Sequence, residues 1–348
     1  MLKESYLKSH LQKVSRSFYI TLVILPKEIF KPISIAYLLA RISDTVADTL
    51  LQIPFNDKRD FLSSFKNQIE NEVLDEFFLK QLNKFLAELK EYPFERDILN
   101  FVPDLFSFYM SLSETQRFQV KLIVVRLIKG IENDLNKFES DNSNQVISLD
   151  SFNEFDLYTY NAAGCVGEFW TEISFKNNSN ISFLNYQKMM LLAIQFGKAL
   201  QMTNIIRDIR SDFDIGRCYI PNKLLNIYNL RPQNLIQDKL SQSAKELIKY
   251  VIKINLENYL HSIEYFLLIP RRKFRLRLAC LIPILIGIET IRHISSNQEV
   301  VSTKRNIKIT RKSVYIIVIH AFWIVISCRS HKLHLYSIID RVRLILNK

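Results

Sequence analysis

Apolar residues recur every three to four positions along most of this chain. The long stretches lie at about 28–50, 58–90, 114–139, 155–175, 184–213, 242–268, 272–296 and 311–328. That period puts apolar side chains on one face of a helix, and the alternating runs that mark strands are scarce. Between the stretches lie short polar breaks, such as LQIPFND at 51–57 and FKNNSN at 175–180. None is long enough for an interdomain linker, and no internal repeat is visible. The pattern predicts one all-α domain over residues 1–348, with eight or more helices. Glycine usage agrees. The chain has six glycines in 348 residues, where ordinary usage would give roughly 24. Sandwiches, barrels and propellers, which turn on glycine at their corners, are excluded. No GxGxxG and no GxxxxGK[ST] occurs, so dinucleotide-loop and P-loop folds are excluded as well.

Cys165, Cys218, Cys280 and Cys328 lie far apart with no CxxC pair, and read as reduced thiols of a cytosolic protein. The six histidines show no zinc spacing. The net charge of +12 is concentrated: residues 271–348 hold 16 Lys+Arg against 3 Asp+Glu. Such a segment suits nucleic acid, anionic lipid or an anionic substrate, or is a solvated basic surface. No aromatic-interleaved basic stripe or nucleic-acid module accompanies it, so no nucleic-acid partner is expected. The polar N-terminus MLKESYLKSH has no signal-peptide character. The uncharged run Ser313–Cys328 falls short of the ~20 residues that span a bilayer, and it predicts a buried or interfacial helix. A cytoplasmic protein with peripheral contact to an anionic membrane is expected.

Four constellations stand out. On IAYLLARISDTVADTL, Tyr37, Arg41, Asp44 and Asp48 are separated by 4, 3 and 4 residues and share a helix face. Charges at this spacing are often a solvated stripe. Here the rest of the helix is apolar, and two carboxylates one turn apart suit Mg²⁺, which takes oxygen ligands and keeps several waters. On LLAIQFGKALQMTNIIRDIRSDFDIGRCYIP, Gly197, Gln201, Asn204, Asp208 and Asp212 fall within roughly 80° of arc, flanked by Arg207 and Ser211. Glycine costs about 1 kcal/mol in a helix interior, so Gly197 predicts close approach of a ligand or a helix. In YTYNAAGCVGEFW, Ala163, Gly164 and Gly167 permit a close helix, while Tyr158 can project into a cavity. SRSF, Ser15 to Phe18, reads as a helix cap or as a phosphate contact. Two facing DxxxD helices, taken together, suit Mg²⁺-assisted ionisation of a diphosphate in a dry apolar cavity, with arginines neutralising the leaving group.

SRSF, ARISDTVAD, YTYNAAGCVG and LQMTNIIRDIRSDFDIGRCYIP, in that order, resemble the squalene/phytoene synthases. KGIENDL looks like their GMxxDL element with Ile131 for Met, and LIGIET and the RxxVY at Arg311 resemble their C-terminal helices. AGCVGEFWTE looks closest to bacterial squalene synthase-like members. One departure is Ala47, where squalene synthases often carry Glu.

The resemblance implies an all-α isoprenoid synthase-type bundle around one central cavity. It implies head-to-head condensation of two farnesyl diphosphates through presqualene diphosphate to squalene, or an NADPH-independent dehydrosqualene or phytoene product. Asp44, Asp48, Asp208 and Asp212 match metal ligands for Mg²⁺, with Mn²⁺ as a substitute. Ser15, Ser17, Tyr37, Arg41, Asn204 and Arg217 match diphosphate contacts, Arg207 and Tyr158 catalytic positions, and Phe18 and Gln201 the cavity. NADPH is implied by the branch alone, since no nucleotide loop is present. Some relatives of this fold are non-catalytic assembly factors that tend to lose these aspartates. All four are kept here.

Overall fold

The structure, a computed structural model, describes residues 4–15, 18–48, 53–139, 146–175, 182–303, 307, 309–327 and 331–347. The chain divides into two compact units, residues 1–136 and 137–348.

The first unit contains α1 (Glu4–Ser15), α2 (Phe18–Val23), α3 (Lys27–Asp48), α4 (Phe55–Asn71), α5 (Glu76–Glu88), α6 (Pro93–Asn100), α7 (Val102–Met110) and most of α8 (Glu114–Phe138). The run expected as one helix at 58–90 is two. α4 ends where Glu72 takes a left-handed conformation and the Val73 N–H donates to the Gln68 carbonyl. Asp75 then caps α5 by accepting from the Phe78 N–H at 2.7 Å. Gln68 ties the two ends together, accepting from the Asp75 N–H and donating to its carboxylate. The turn brings Phe61, Phe65, Phe78 and Phe85 into one buried cluster with ring centroids 4.6–6.2 Å apart. Apolar periodicity alone sees an uninterrupted face here, because both helices offer their phenylalanines to the same core.

The second unit holds β1 (Ile147–Ser148), α9 (Phe152–Thr159), a π-helical turn (Tyr160–Gly164), α10 (Cys165–Phe175), α11 (Phe183–Arg207), α12 (Ile209–Asp214), β2 (Arg217–Cys218), α13 (Asn222–Ile227), α14 (Gln242–Leu268), α15 (Phe274–Ser296), α16 (Arg311–Ile326) and α17 (Lys332–Leu346). Ser151, Ser182, Ser241 and Thr310 cap α9, α11, α14 and α16 through their hydroxyls. α11 packs on α10, on the π turn and on α14, and α15 packs on α14, α16 and α17.

Gly167 and Gly197 make the contacts of α11 with α10 and with the π turn feasible. A Cβ on Gly197 would sit 2.1 Å from the Ala163 carbonyl oxygen, and one on Gly167 2.0 Å from that of Ala193. The neighbour that Gly197 predicts is therefore a helix. α14 and α15 are joined by a buried guanidinium: Arg277 donates to the Ile269 carbonyl at 2.6 Å and lies over the Phe266 ring. Burial pushes its pKa down to about 10. The two-residue strands pair in parallel, Ile147 with Arg217 and Ser148 with Cys218. Cys165, Cys218 and Cys280 are buried and free, and burial pushes the Cys280 thiol up to about 12. Cys328 lies outside the described residues.

Candidate functional site

In the first unit, Tyr37, Arg41 and Asp44 lie along α3 as a half-buried stripe, and most of their neighbours from Pro32 to Ala47 are fully buried. The helical spacing thus places three polar side chains on the only part of this segment that meets open space. The Arg41 Nε atom is buried with no hydrogen-bond partner. A buried guanidinium donor left unmet is costly, and a phosphate oxygen is the ligand it suits best. α3 continues through Asp48, whose side chain lies outside the described set, as do Ser17 and the side chain of Phe18. Ser15 ends α1 instead of opening the next helix. Its buried hydroxyl donates back to the Leu11 carbonyl at 2.5 Å.

In the second unit the motif spans a bend. α11 stops at Arg207, Asp208 leaves helical geometry at φ −102° and ψ 11°, and α12 starts at Ile209. Two backbone bonds carry the register across the bend: Asp208 N–H to the Asn204 carbonyl at 2.8 Å, and Asp212 N–H to the Asp208 carbonyl at 2.9 Å. Asn204, Asp208 and Asp212 therefore remain stacked one turn apart. The Arg207 guanidinium grips the Asp208 carboxylate with two bonds, at 2.8 and 2.5 Å. That carboxylate raises the arginine pKa, with smaller contributions from Asp212 and Tyr259. The Ser211 hydroxyl is engaged with the Asp208 carbonyl.

Around this bend the structure gathers several predicted residues. Gln201 donates its side-chain amide to the Tyr158 hydroxyl at 3.1 Å, and Asn204 donates to the Gln201 carbonyl oxygen at 3.4 Å. The Tyr158 ring stacks on Tyr219 with centroids 4.4 Å apart, and Tyr219 meets Phe138 edge-on at 5.1 Å. Arg217 lies over the Phe138 ring, 5.9 Å from its centroid. β2 is what holds Arg217. Gly216 turns the chain at φ 80°, and its carbonyl accepts from the Ile147 N–H. Behind the bend, Thr203, one turn before Arg207, shares a hydrogen bond with the Tyr259 hydroxyl at 2.7 Å and accepts from Asn255 at 3.0 Å. All three are buried, and burial raises the Tyr259 pKa.

Several members of this set escaped sequence inspection. Phe138, Tyr259, Thr203 and Asn255 sit at positions that helical periodicity assigns to the core. Lys198 is nearly buried, with its ammonium 2.6 Å from Asp156. Its position three residues before Gln201, one turn away on the same helix, is a signal that could have found it.

Among the described residues, no group of three or more His, Cys, Asp or Glu side chains is arranged to hold a metal ion. Mg²⁺ does not need such a cage, since it is commonly bound by one or two carboxylates together with substrate phosphates and water. The half-buried Asp208 and Asp212, one turn apart, form a hard-oxygen donor set of that kind.

The chain is similar to the squalene synthase of Schizosaccharomyces pombe, at 25% identity over 312 residues, or 89% of this chain and 63% of that protein. The squalene synthase of Cyberlindnera jadinii is also 25% identical, over 84% of this chain and 62% of that protein. The chain thus spans somewhat under two thirds of the length of these relatives. Among solved structures, a ligand complex of TcSQS aligns with a TM-score of 0.73 at 19% identity, covering 99% of this chain and 98% of that one. A ligand-bound dehydrosqualene synthase aligns at 0.64 and 20%, covering 96% of each chain. At these identities the likeness is one of fold, the all-α isoprenoid synthase type. The profile of the squalene/phytoene synthases matches residues 11–313, nearly the whole of the helical sequence carrying both aspartate motifs, and the chain belongs to that family.

Proposed function

We propose that residues 1–348 act as one catalytic domain that condenses two farnesyl diphosphates head to head, through presqualene diphosphate, to squalene. The observation that carries this reading is the bend at Asp208. There, two carboxylates one turn apart, a guanidinium, and a tyrosine held by a glutamine come together within one unit.

Asp208 and Asp212 would hold Mg²⁺ in the second unit, and Asp44 with Asp48 in the first. When bound, the ion supplies Lewis-acid stabilisation to the departing diphosphate. The chain's own side chains do the rest. Arg41, with its open Nε donor, binds a diphosphate oxygen, and Arg207 and Arg217 offset the negative charge that grows as the C–O bond lengthens. The half-buried Tyr158 ring, backed by Tyr219, would offer its other face to the allylic cation, which the ring quadrupole stabilises. Tyr158, its hydroxyl oriented by Gln201, assists loss of the proton as the cyclopropane closes, passing its own phenolic proton to the departed diphosphate as it takes the substrate's. Because the substrate and product are lipids and the C-terminal quarter is basic, peripheral contact with an anionic membrane belongs to the same reading.

The test is incubation with labelled farnesyl diphosphate and Mg²⁺, with and without NADPH, and mass spectrometry of the product. Condensation that falls steeply in Asp44→Asn and Asp208→Asn is expected. Equal turnover in all three proteins sinks the proposal, as does none in the wild type with either farnesyl or geranylgeranyl diphosphate. A product formed without NADPH would move the assignment to dehydrosqualene or phytoene.

A further inference from the structure

α16 is apolar on all sides, yet protein covers only one of them. Ala321 and Ile324 are buried against the second unit, while Tyr315, Ile316, Ile319, Phe322, Trp323 and Ile326 are all exposed. Ile319 is 69% exposed and Trp323 56%. At 100° per residue these six side chains occupy about 120° of the helix surface, along roughly 17 Å. A helix apolar all round is ordinarily enclosed, and a contiguous exposed patch of large apolar side chains marks an interaction surface.

The charge around the patch says what covers it. Arg311 and Lys312 are exposed at one end of α16. Phe274 meets Phe322 edge-on near the other end, which brings the exposed run Arg271, Arg272, Lys273 and Arg275 beside the C-terminal half of the helix. The three acidic residues of the C-terminal quarter do not offset this charge. Glu289 is paired with Arg292, Glu299 with Lys245, and Asp340 with Arg343. An apolar strip carrying Trp and Tyr, with basic groups at both ends, has the anatomy of a helix lying in a membrane interface. Among the described residues no helix is long and apolar enough to cross a membrane, so α16 would lie in the plane. A second copy of the chain would set one basic rim against another, which like-charge repulsion opposes.

We propose that the Tyr315–Ile326 face of α16 is a docking surface for an anionic lipid bilayer. The apolar side chains enter the headgroup–acyl boundary, and the two basic ends pair with lipid headgroups. The inference rests on the membrane contact in the proposed function and names its location. It is read without substrate, so it can fail while the chemistry stands.

The test is co-sedimentation of the full chain with vesicles of phosphatidylcholine alone and of phosphatidylcholine with phosphatidylglycerol, at low and high salt. Binding to the anionic vesicles that weakens with salt is expected, together with a blue shift of tryptophan emission. Ile316→Ser with Ile319→Ser should lower partitioning about ten-fold or more. Arg272→Gln with Lys273→Gln should lower it less and flatten the salt dependence. Circular dichroism and thermal melting in the absence of vesicles report that both variants fold. No binding to either vesicle, or binding unchanged by Ile316→Ser with Ile319→Ser, overturns the proposal. So does a dimer, seen by ultracentrifugation, that this double variant dissolves.

Discussion

The two aspartate motifs share a four-residue spacing but differ in setting. On α3, Tyr37, Arg41 and Asp44 follow one continuous helix, and the Arg41 Nε donor has no partner. At the α11–α12 junction the helix bends on the aspartate itself, and Arg207 holds Asp208 in a two-bond grip. Spacing decides which side chains share a face. The neighbours decide how much charge that face presents. In the second motif one of the two carboxylates is already engaged by its own arginine, whereas the first offers an unspent guanidinium donor to an incoming anion.

That contrast can be broken most forcefully at the carboxylates. Asp44→Asn and Asp208→Asn should each lower turnover by about 10²-fold or more, the scale seen when a charge-stabilising group is removed from an active site. A large loss in one and none in the other would show that the motifs are not paired in function.

A stability experiment isolates the second motif. Gly197→Ala drives a Cβ into the Ala163 carbonyl and should cost at least about 2 kcal/mol in a urea titration. Stability unchanged from wild type would mean that α11 does not rest on the π turn as closely as described.

The arginines offer a finer probe. Arg41→Gln should weaken inhibition by inorganic pyrophosphate about ten-fold. Arg207→Gln should weaken it less, because part of that guanidinium is already spent on Asp208. The reverse order would contradict the charge argument.

The smallest effect is a difference in acid sensitivity between the units. Burial, then His334 and His331, depress the His320 pKa below 6.5, and His320 contacts His334 at 2.9 Å between α16 and α17. A depressed histidine stabilises the fold above the unfolded value and loses that contribution as pH falls from about 6.5 through the lower folded pKa. In the first unit, Glu72 is held below its ordinary 4.5 by Lys121 at 2.8 Å, with a smaller contribution from Arg117, so its contribution persists to lower pH. Hydrogen exchange should show α16 and α17 loosening near pH 6 while α4 and α8 stay protected to about pH 4, each by under about 1 kcal/mol. Simultaneous loss would remove this distinction.

Much of the helical layout was legible in advance. α3, α8, α14, α15 and α16 begin and end within about two residues of their periodic stretches, because apolar period and hydroxyl caps are local signals. The joins were less legible. Nothing in the periodicity marks Glu72 to Asp75, where a glutamine reaches across the turn to hold two helix ends. The arc drawn through Gly197 and Asp212 assumed an unbroken helix, and it survives the bend only because two backbone bonds preserve the register. β1 and β2 were invisible because two residues carry no alternation.

The order of residues settled what can be decided within two turns of helix. It put both DxxxD pairs on shared faces, excluded glycine-loop folds, and concentrated positive charge after residue 270. The bare face of α16, the grip of Arg207 on Asp208, and the strand that aims Arg217 came from the folded chain. Each depends on groups brought together across long stretches of sequence, or, for Arg207 and Asp208, on a bend that lets adjacent side chains turn toward each other. A helix face is written in its own residues, but what covers that face, or leaves it bare, is set by the packing of other elements against it.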